Sequence, residues 1–157
     1  MEPDHGGSIG LLRQRYPDMQ IVGNKKAFDM LSGFHGITTG LHEVKSGDAL
    51  RIGSHEFSFL MAPMVHWPEV MFTYEQSNRL LFSADAFGSF GALSGHIFDS
   101  HLTDRQSYLE EMVRYYSCVI GKFGPFVKKA LANIDKQGLD IEYVCPCLLY
   151  TSDAADD

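Results

Sequence analysis

Apolar positions set the local grammar of the chain before any chemistry is considered. Between Ser8 and Tyr16 they fall at Ile9, Leu11, Leu12 and Tyr16, a spacing that predicts a short helix. Gln20-Ile21-Val22 reads as a brief strand ended by Gly23-Asn24. A second helix is predicted from Lys25 to Leu31, with Gly33 and Gly36 placed to stop it. From Leu41 to Asp85 the pattern turns to strands. His55 to Met61 partly alternates, and Val70 to Tyr74 and Leu80 to Ser83 flank the polar turn Glu75 to Asn78. Ser46-Gly47-Asp48 and Gly53-Ser54 add two further turn signals.

Ala86 to Gly95 reads as a glycine-rich loop containing Phe87 and Phe90. Thr103-Asp104 can cap a long helix whose apolar stripe runs Tyr108, Met112, Tyr115, Tyr116, Val119 and Ile120. Another helix is predicted from Pro125 to Lys136, ending near Gly138, and Ile141 to Cys145 is a final strand. Short helices beside hairpins, with no internal repeat and no linker, predict one α+β layered domain built on largely antiparallel sheet.

Composition narrows the class. The chain has 157 residues, 45% of them hydrophobic and 21% charged, ordinary for a soluble globular domain with a real core. A net charge of −7 argues against nucleic acid or an anionic membrane as partner. No apolar run reaches the ~18 residues of a membrane span. Cys118, Cys145 and Cys147 make no disulfide framework, and Cys145-Pro146-Cys147 is not a CxxC pair. The expectation is a reducing, cytoplasmic setting.

The candidate chemistry sits in Glu2-Pro3-Asp4-His5, answered by His66 and Asp85. Carboxylates give hard oxygen donors and imidazole a borderline nitrogen, a mixture that suits iron, manganese or zinc. Three potential ligands on one loop leave few long-range contacts to close a site, and Gly6-Gly7 permits a tight bend there. Each residue alone also has a plainer role: Asp4 or Ser8 as a helix cap, His66 as a satisfied core histidine, Asp85 as a turn residue. His35, His42, His55, His96 and His101 lack ligand spacing to one another and read as surface or loop residues. Phe87, Phe90 and Leu93 either shape a dry pocket over the metals or merely pack.

Three blocks carry a family resemblance: Glu2 to His5 (EPDH), Ala62 to Tyr74 (APMVHWPEVMFTY) and Leu81 to Gly88 (LFSADAFG). With 61 positions from His5 to His66 and 19 from His66 to Asp85, residues 1–146 resemble the diiron domain of flavodiiron proteins. The resemblance implies an α+β, metallo-β-lactamase-like αββα sandwich, here lacking its N-terminal part, normally followed by a flavodoxin-like domain carrying FMN. By matching position, Glu2 and His66 would bind one iron, Asp4 and His5 the other, and Asp85 would bridge them. Some members of that family leave the His5 position uncoordinated. Trp67 would lie near the FMN of a partner subunit in a head-to-tail homodimer, or simply pack in the core. The implied activity is reduction of O2 to water, NO to N2O, or both, fed by a rubredoxin-like or flavoprotein electron donor.

Two ligands of the family pattern are missing. Its first histidine would stand just before Met1, and its last at position 148, where the chain has Leu148. The tail from Cys147 to Asp157 (CLLYTSDAADD) resembles the translation of a transposase adapter used in sequencing libraries, so residues 147–157 are expected to be foreign and the chain to be a clipped fragment. Zinc hydrolases of the same superfamily look like His-x-His-x-Asp-His, with imidazole where Glu2 stands; the extra carboxylate favours iron in redox chemistry. A zinc-dependent hydrolase is the alternative activity. An inactive fragment is the expectation for the 157 residues as they stand.

Overall fold

The computed structural model describes residues 5–92 and 97–148. Glu2 and Asp4, Leu93, His96 and most of the suspected foreign tail lie outside the described residues.

The chain opens with helix α1 (Ile9–Arg15). Ser8 stands at its N-cap position but makes no side-chain capping bond, so that plainer role for Ser8 is not realised. Strand β1 (Ile21–Gly23) leads directly into α2 (Lys25–His35) and then β2 (Leu41–Glu43), which pairs parallel with β1. The side chain of Asn24 accepts a hydrogen bond from Ala27 N at 3.0 Å, satisfying one of the free amides at the start of α2. Gly33 does not end this helix. The stop is Gly36, which adopts φ 65° at the C-cap, the left-handed geometry open to glycine.

A second, five-stranded sheet has the order β3-β4-β5-β6-β7. Strands β3 (Ala49–Ile52) and β4 (His55–Met61) form a tight hairpin across Gly53-Ser54. Strand β5 (Met71–Glu75) pairs antiparallel with β4 and with β6 (Leu80–Phe82). Strand β7 (Tyr143–Cys145) returns after the helices and pairs parallel with β6. The prediction of a largely antiparallel sheet thus holds for three pairings, while β1–β2 and β6–β7 run parallel. A parallel pair needs a long crossover, and residues 83–142 supply one between β6 and β7.

That crossover contains α3 (Arg105–Tyr115), capped by Asp104 accepting from Ser107 N, and α4 (Gly124–Gln137). The predicted single helix through Ile120 is interrupted: residues Tyr116–Ile120 form a π-helical turn, followed by a 3₁₀ turn at Gly121–Phe123. Period 2 along the strands puts Leu60, Phe72, Tyr74 and Leu81 on one face, where they form the core with Val65, Ala86 and Ala130. Burying a side chain such as Phe72 contributes about 1.5–3 kcal/mol. Phe57, Phe59 and Met71 line the opposite face together with Val22 of β1. Both faces of the sheet are therefore covered, and the layers are those of the expected αββα sandwich.

Candidate metal centre

Strands β4, β6 and β7 point the same way, because β5 is antiparallel to both its neighbours and β7 is parallel to β6. Their C-terminal ends therefore open on one edge of the sheet. The loop after β4 carries His66, the loop after β6 carries Asp85, and the segment after β7 carries Cys147. His5, just ahead of α1, reaches the same edge.

Asp85 is the hub. It is 2% exposed, and its two oxygens face different groups. Oδ2 lies 3.1 Å from His66 Nε2, while Oδ1 lies 3.4 Å from His5 Nε2 and 3.0 Å from Cys147 Sγ. The donor atoms of His5, Asp85 and Cys147 all fall within 4.8 Å of one another, a spacing a single cation can span. Nitrogen and oxygen donors fit iron, manganese or zinc, and the thiol tilts the described set toward zinc.

Local structure fixes these side chains. Ser83 is fully buried; its hydroxyl donates to Ala86 O at 2.7 Å, and Ala86 N donates back to Ser83 O at 3.1 Å. Asp85 is thus held inside a closed turn. Ala84 (φ 51°) and Phe87 (φ 64°) adopt left-handed backbone on either side of it, and Met64 (φ 67°) does so two residues before His66. Such conformations cost of order 1–3 kcal/mol each for residues with a Cβ. Their clustering beside His66 and Asp85 points to a site for which the surrounding fold enforces geometry. Across the loop, Met64 N donates to Trp67 O at 2.7 Å and Ala62 N to Val70 O at 2.9 Å. Asn24 Nδ2 reaches over from the start of α2 to donate to Glu69 O at 2.6 Å.

The segment after β7 docks on the Asp85 loop through backbone. Cys147 N donates to Ala84 O at 2.8 Å and Ser89 N to Leu148 O at 3.2 Å. Gly88 is required for this approach: a Cβ there would stand 2.9 Å from Leu148 Cβ and 3.0 Å from Asp85 O. Position 148, where the family pattern has histidine, is therefore packed against the loop that carries Asp85.

Of the six residues singled out in the sequence, His5, His66 and Asp85 converge. Trp67 is half-buried beside His66, their rings 6.3 Å apart, and packs against the core. Glu2 and Asp4 lie outside the described residues. Two groups escaped the sequence reading. Glu69 is 2% exposed and lines a cavity of about 300 Å³ together with His5, Ala84 and Cys147. Its only signal was a charge embedded in the apolar run Trp67 to Phe72. Cys147 was set aside with the tail. Among the other histidines, His42 and His101 are exposed, and His55 lies 3.1 Å from Glu75 on β5.

An αββα sandwich with His and Asp side chains gathered at the strand ends defines the metallo-β-lactamase-like class of fold. The chain belongs to the ODP family beta lactamase group, whose profile matches residues 1–147. It is 32% identical to a nitric oxide reductase of Moorella thermoacetica, over 92% of this chain and 36% of that protein. Its fold matches a flavo di-iron protein variant from Thermotoga maritima with a TM-score of 0.72 and 30% identity, covering 81% of this chain and 30% of that one. Rubredoxin oxygen:oxidoreductase from Desulfovibrio gigas matches with a TM-score of 0.83 and 27% identity, over 92% of this chain and 36% of that one. The chain spans about a third of the length of these relatives.

Proposed function

We propose that this chain is the metal-binding domain of an oxidoreductase that reduces dioxygen to water, nitric oxide to nitrous oxide, or both. The observation that carries the reading is the division of Asp85, whose Oδ2 faces His66 and whose Oδ1 faces His5. A carboxylate that turns one oxygen to each of two imidazoles supports a bridging role between two cations. In this reading Glu2 and His66 would hold one iron, Asp4 and His5 the other, and Asp85 would serve both. Glu2 and Asp4 stand within three positions of His5 in the sequence. The diiron centre, with FMN from a flavodoxin-like domain of a partner subunit, supplies the electron chemistry.

The chain's own share is positioning. The Ser83–Ala86 turn fixes the Asp85 carboxylate, the 62–70 loop orients His66, and the buried core behind both keeps bulk water from that side. Trp67, beside His66, would stand between the metals and the FMN of a head-to-tail partner. A rubredoxin-like donor, as the name of the Desulfovibrio gigas relative suggests, or a flavoprotein donor would feed that flavin in a cytoplasmic enzyme. No helix among the described residues is long and apolar enough to cross a membrane. Residues 147–157 are foreign in this reading, so the thiol of Cys147 is not counted among its ligands.

The test is gas consumption by the full-length parent protein, reconstituted anaerobically with iron(II) or with zinc and supplied with reduced flavin. The iron form should consume oxygen or nitric oxide while the zinc form does neither. Gas left untouched by the iron form, with ester or lactam turnover by the zinc form, would overturn the reading in favour of a hydrolase.

A further inference from the structure

We infer that the chain as it stands binds a single zinc ion through His5 Nε2, Asp85 Oδ1 and Cys147 Sγ. The family pattern places no ligand at position 147, so the thiol makes this donor set the chain's own. Such a site belongs to the 157-residue chain itself and stands or falls independently of the function proposed above. The three donor atoms lie within 4.8 Å of one another. Around a tetrahedral zinc, with Zn–N and Zn–O of about 2.1 Å and Zn–S of about 2.3 Å, nitrogen and oxygen donors stand about 3.4 Å apart and sulfur and oxygen about 3.6 Å. His5 Nε2 is 3.4 Å from Asp85 Oδ1. Cys147 Sγ, at 3.0 Å from the same oxygen, has to withdraw by only about 0.6 Å, which a small χ1 rotation of this exposed side chain supplies.

Three features argue against chance proximity. First, backbone bonds hold Cys147 in place: its N–H donates at 2.8 Å to the carbonyl of Ala84, the residue before Asp85, and Ser89 N donates to Leu148 O at 3.2 Å. Gly88 leaves the room that this docking needs. Second, Asp85 is 2% exposed, and its other oxygen, Oδ2, lies 3.1 Å from His66 Nε2. A hydrogen bond from that imidazole holds the carboxylate with Oδ1 turned toward His5 and Cys147, the outer support that ligating carboxylates have. Third, the donor types discriminate among cations. Thiolate and imidazole suit zinc, whereas magnesium, calcium and manganese favour oxygen. The thiol gives up its proton to solvent as it takes the ion. Three protein ligands leave one position of a tetrahedral zinc for water. His5 and Cys147 both line the cavity of about 300 Å³, which gives such a water room.

Cobalt(II), a coloured substitute for zinc, is the probe. Titrated into the metal-free, reduced 157-residue chain, it should saturate at one ion per chain and give a thiolate-to-cobalt charge-transfer band in the near ultraviolet. Zinc should bleach that band stoichiometrically. Cys147→Ser should abolish the band and weaken zinc binding at least about 100-fold, since removing even a hydrogen-bond partner of a ligand costs about 10–100-fold. His5→Ala should weaken zinc binding by a similar factor while the metal-free melt stays within a few degrees. Cys118→Ser should change neither band nor affinity. Failure of the unmodified chain to take up cobalt, or uptake without the band, would overturn the inference whether or not the variants fold. So would a band that persists in Cys147→Ser, which would place the sulfur at Cys118 or Cys145. Saturation at two ions per chain, or undiminished zinc binding in His5→Ala, would equally rule out the single-ion site.

Discussion

Asp85→Asn preserves the size and shape of a buried side chain while changing what its two outer atoms can do. In the native site Oδ2 is 3.1 Å from His66 Nε2, and Oδ1 is 3.4 Å from His5 Nε2 and 3.0 Å from Cys147 Sγ. Asparagine leaves one neutral oxygen and puts an NH2 group in place of the other. An amide NH2 donates hydrogen bonds but offers a cation no lone pair, so under the proposed diiron reading one of the two metals would lose its bridging ligand. The carboxylate charge is lost as well, at a position only 2% exposed, where water screens it little. Removing groups that merely hydrogen-bond to a metal ligand costs about 10–100-fold in affinity. Losing a ligand itself should cost no less than about 100-fold, or about 2.8 kcal/mol.

The assay is iron per protein by mass spectrometry after anaerobic reconstitution of the full-length parent, paired with a thermal melt of the metal-free protein. Iron content should fall to one or fewer per subunit while the metal-free melt stays within a few degrees of the unmodified protein. Unchanged iron content would refute the bridging role. Collapse of the metal-free fold would place the contribution of Asp85 in the architecture rather than at the metal.

Two further predictions rest on groups outside the centre. Asn24→Ala should lose a helix cap worth about 1 kcal/mol and the bond to Glu69 O, worth about another 1 kcal/mol; a urea denaturation curve showing a loss below about 0.5 kcal/mol would count against that double role. Burial alone would raise the pKa of Glu75, but hydrogen bonds from Asn78 N, His55, the Asn78 amide and Ser77 N outweigh it and hold the carboxyl at about 2. A carboxyl with a depressed folded-state pKa stabilises the fold fully above its ordinary value of 4.5, and that contribution disappears as pH falls toward 2. Glu75→Gln should flatten the loss of stability between pH 4.5 and 2, and an unaltered acid-unfolding profile would refute the assignment.

What the sequence determined by itself is what adjacent residues settle among themselves. Asn24 and Asp104 cap helices because their side chains reach amides three positions on. Gly53-Ser54 and Glu75 to Asn78 turn the chain between paired strands, and the alternation through Leu60, Phe72 and Tyr74 fixes which face is buried. Gly33 misled because a glycine with ordinary helical dihedrals only weakens a helix, by about 1 kcal/mol, and two more residues could follow before Gly36. His66 and Asp85 stood out through family resemblance, since nothing in a spacing of 19 residues by itself says that two side chains meet.

Tertiary structure decided the rest. The common direction of β4, β6 and β7 gathers three loops at one edge, where the segment before α1 also arrives, and only that meeting gives Asp85 a different imidazole for each oxygen. The burial of Glu69 and the docking of position 148 on Gly88 have the same origin. Each depends on groups brought together by the packing of whole layers, and residues distant along the chain carry no local record of that meeting.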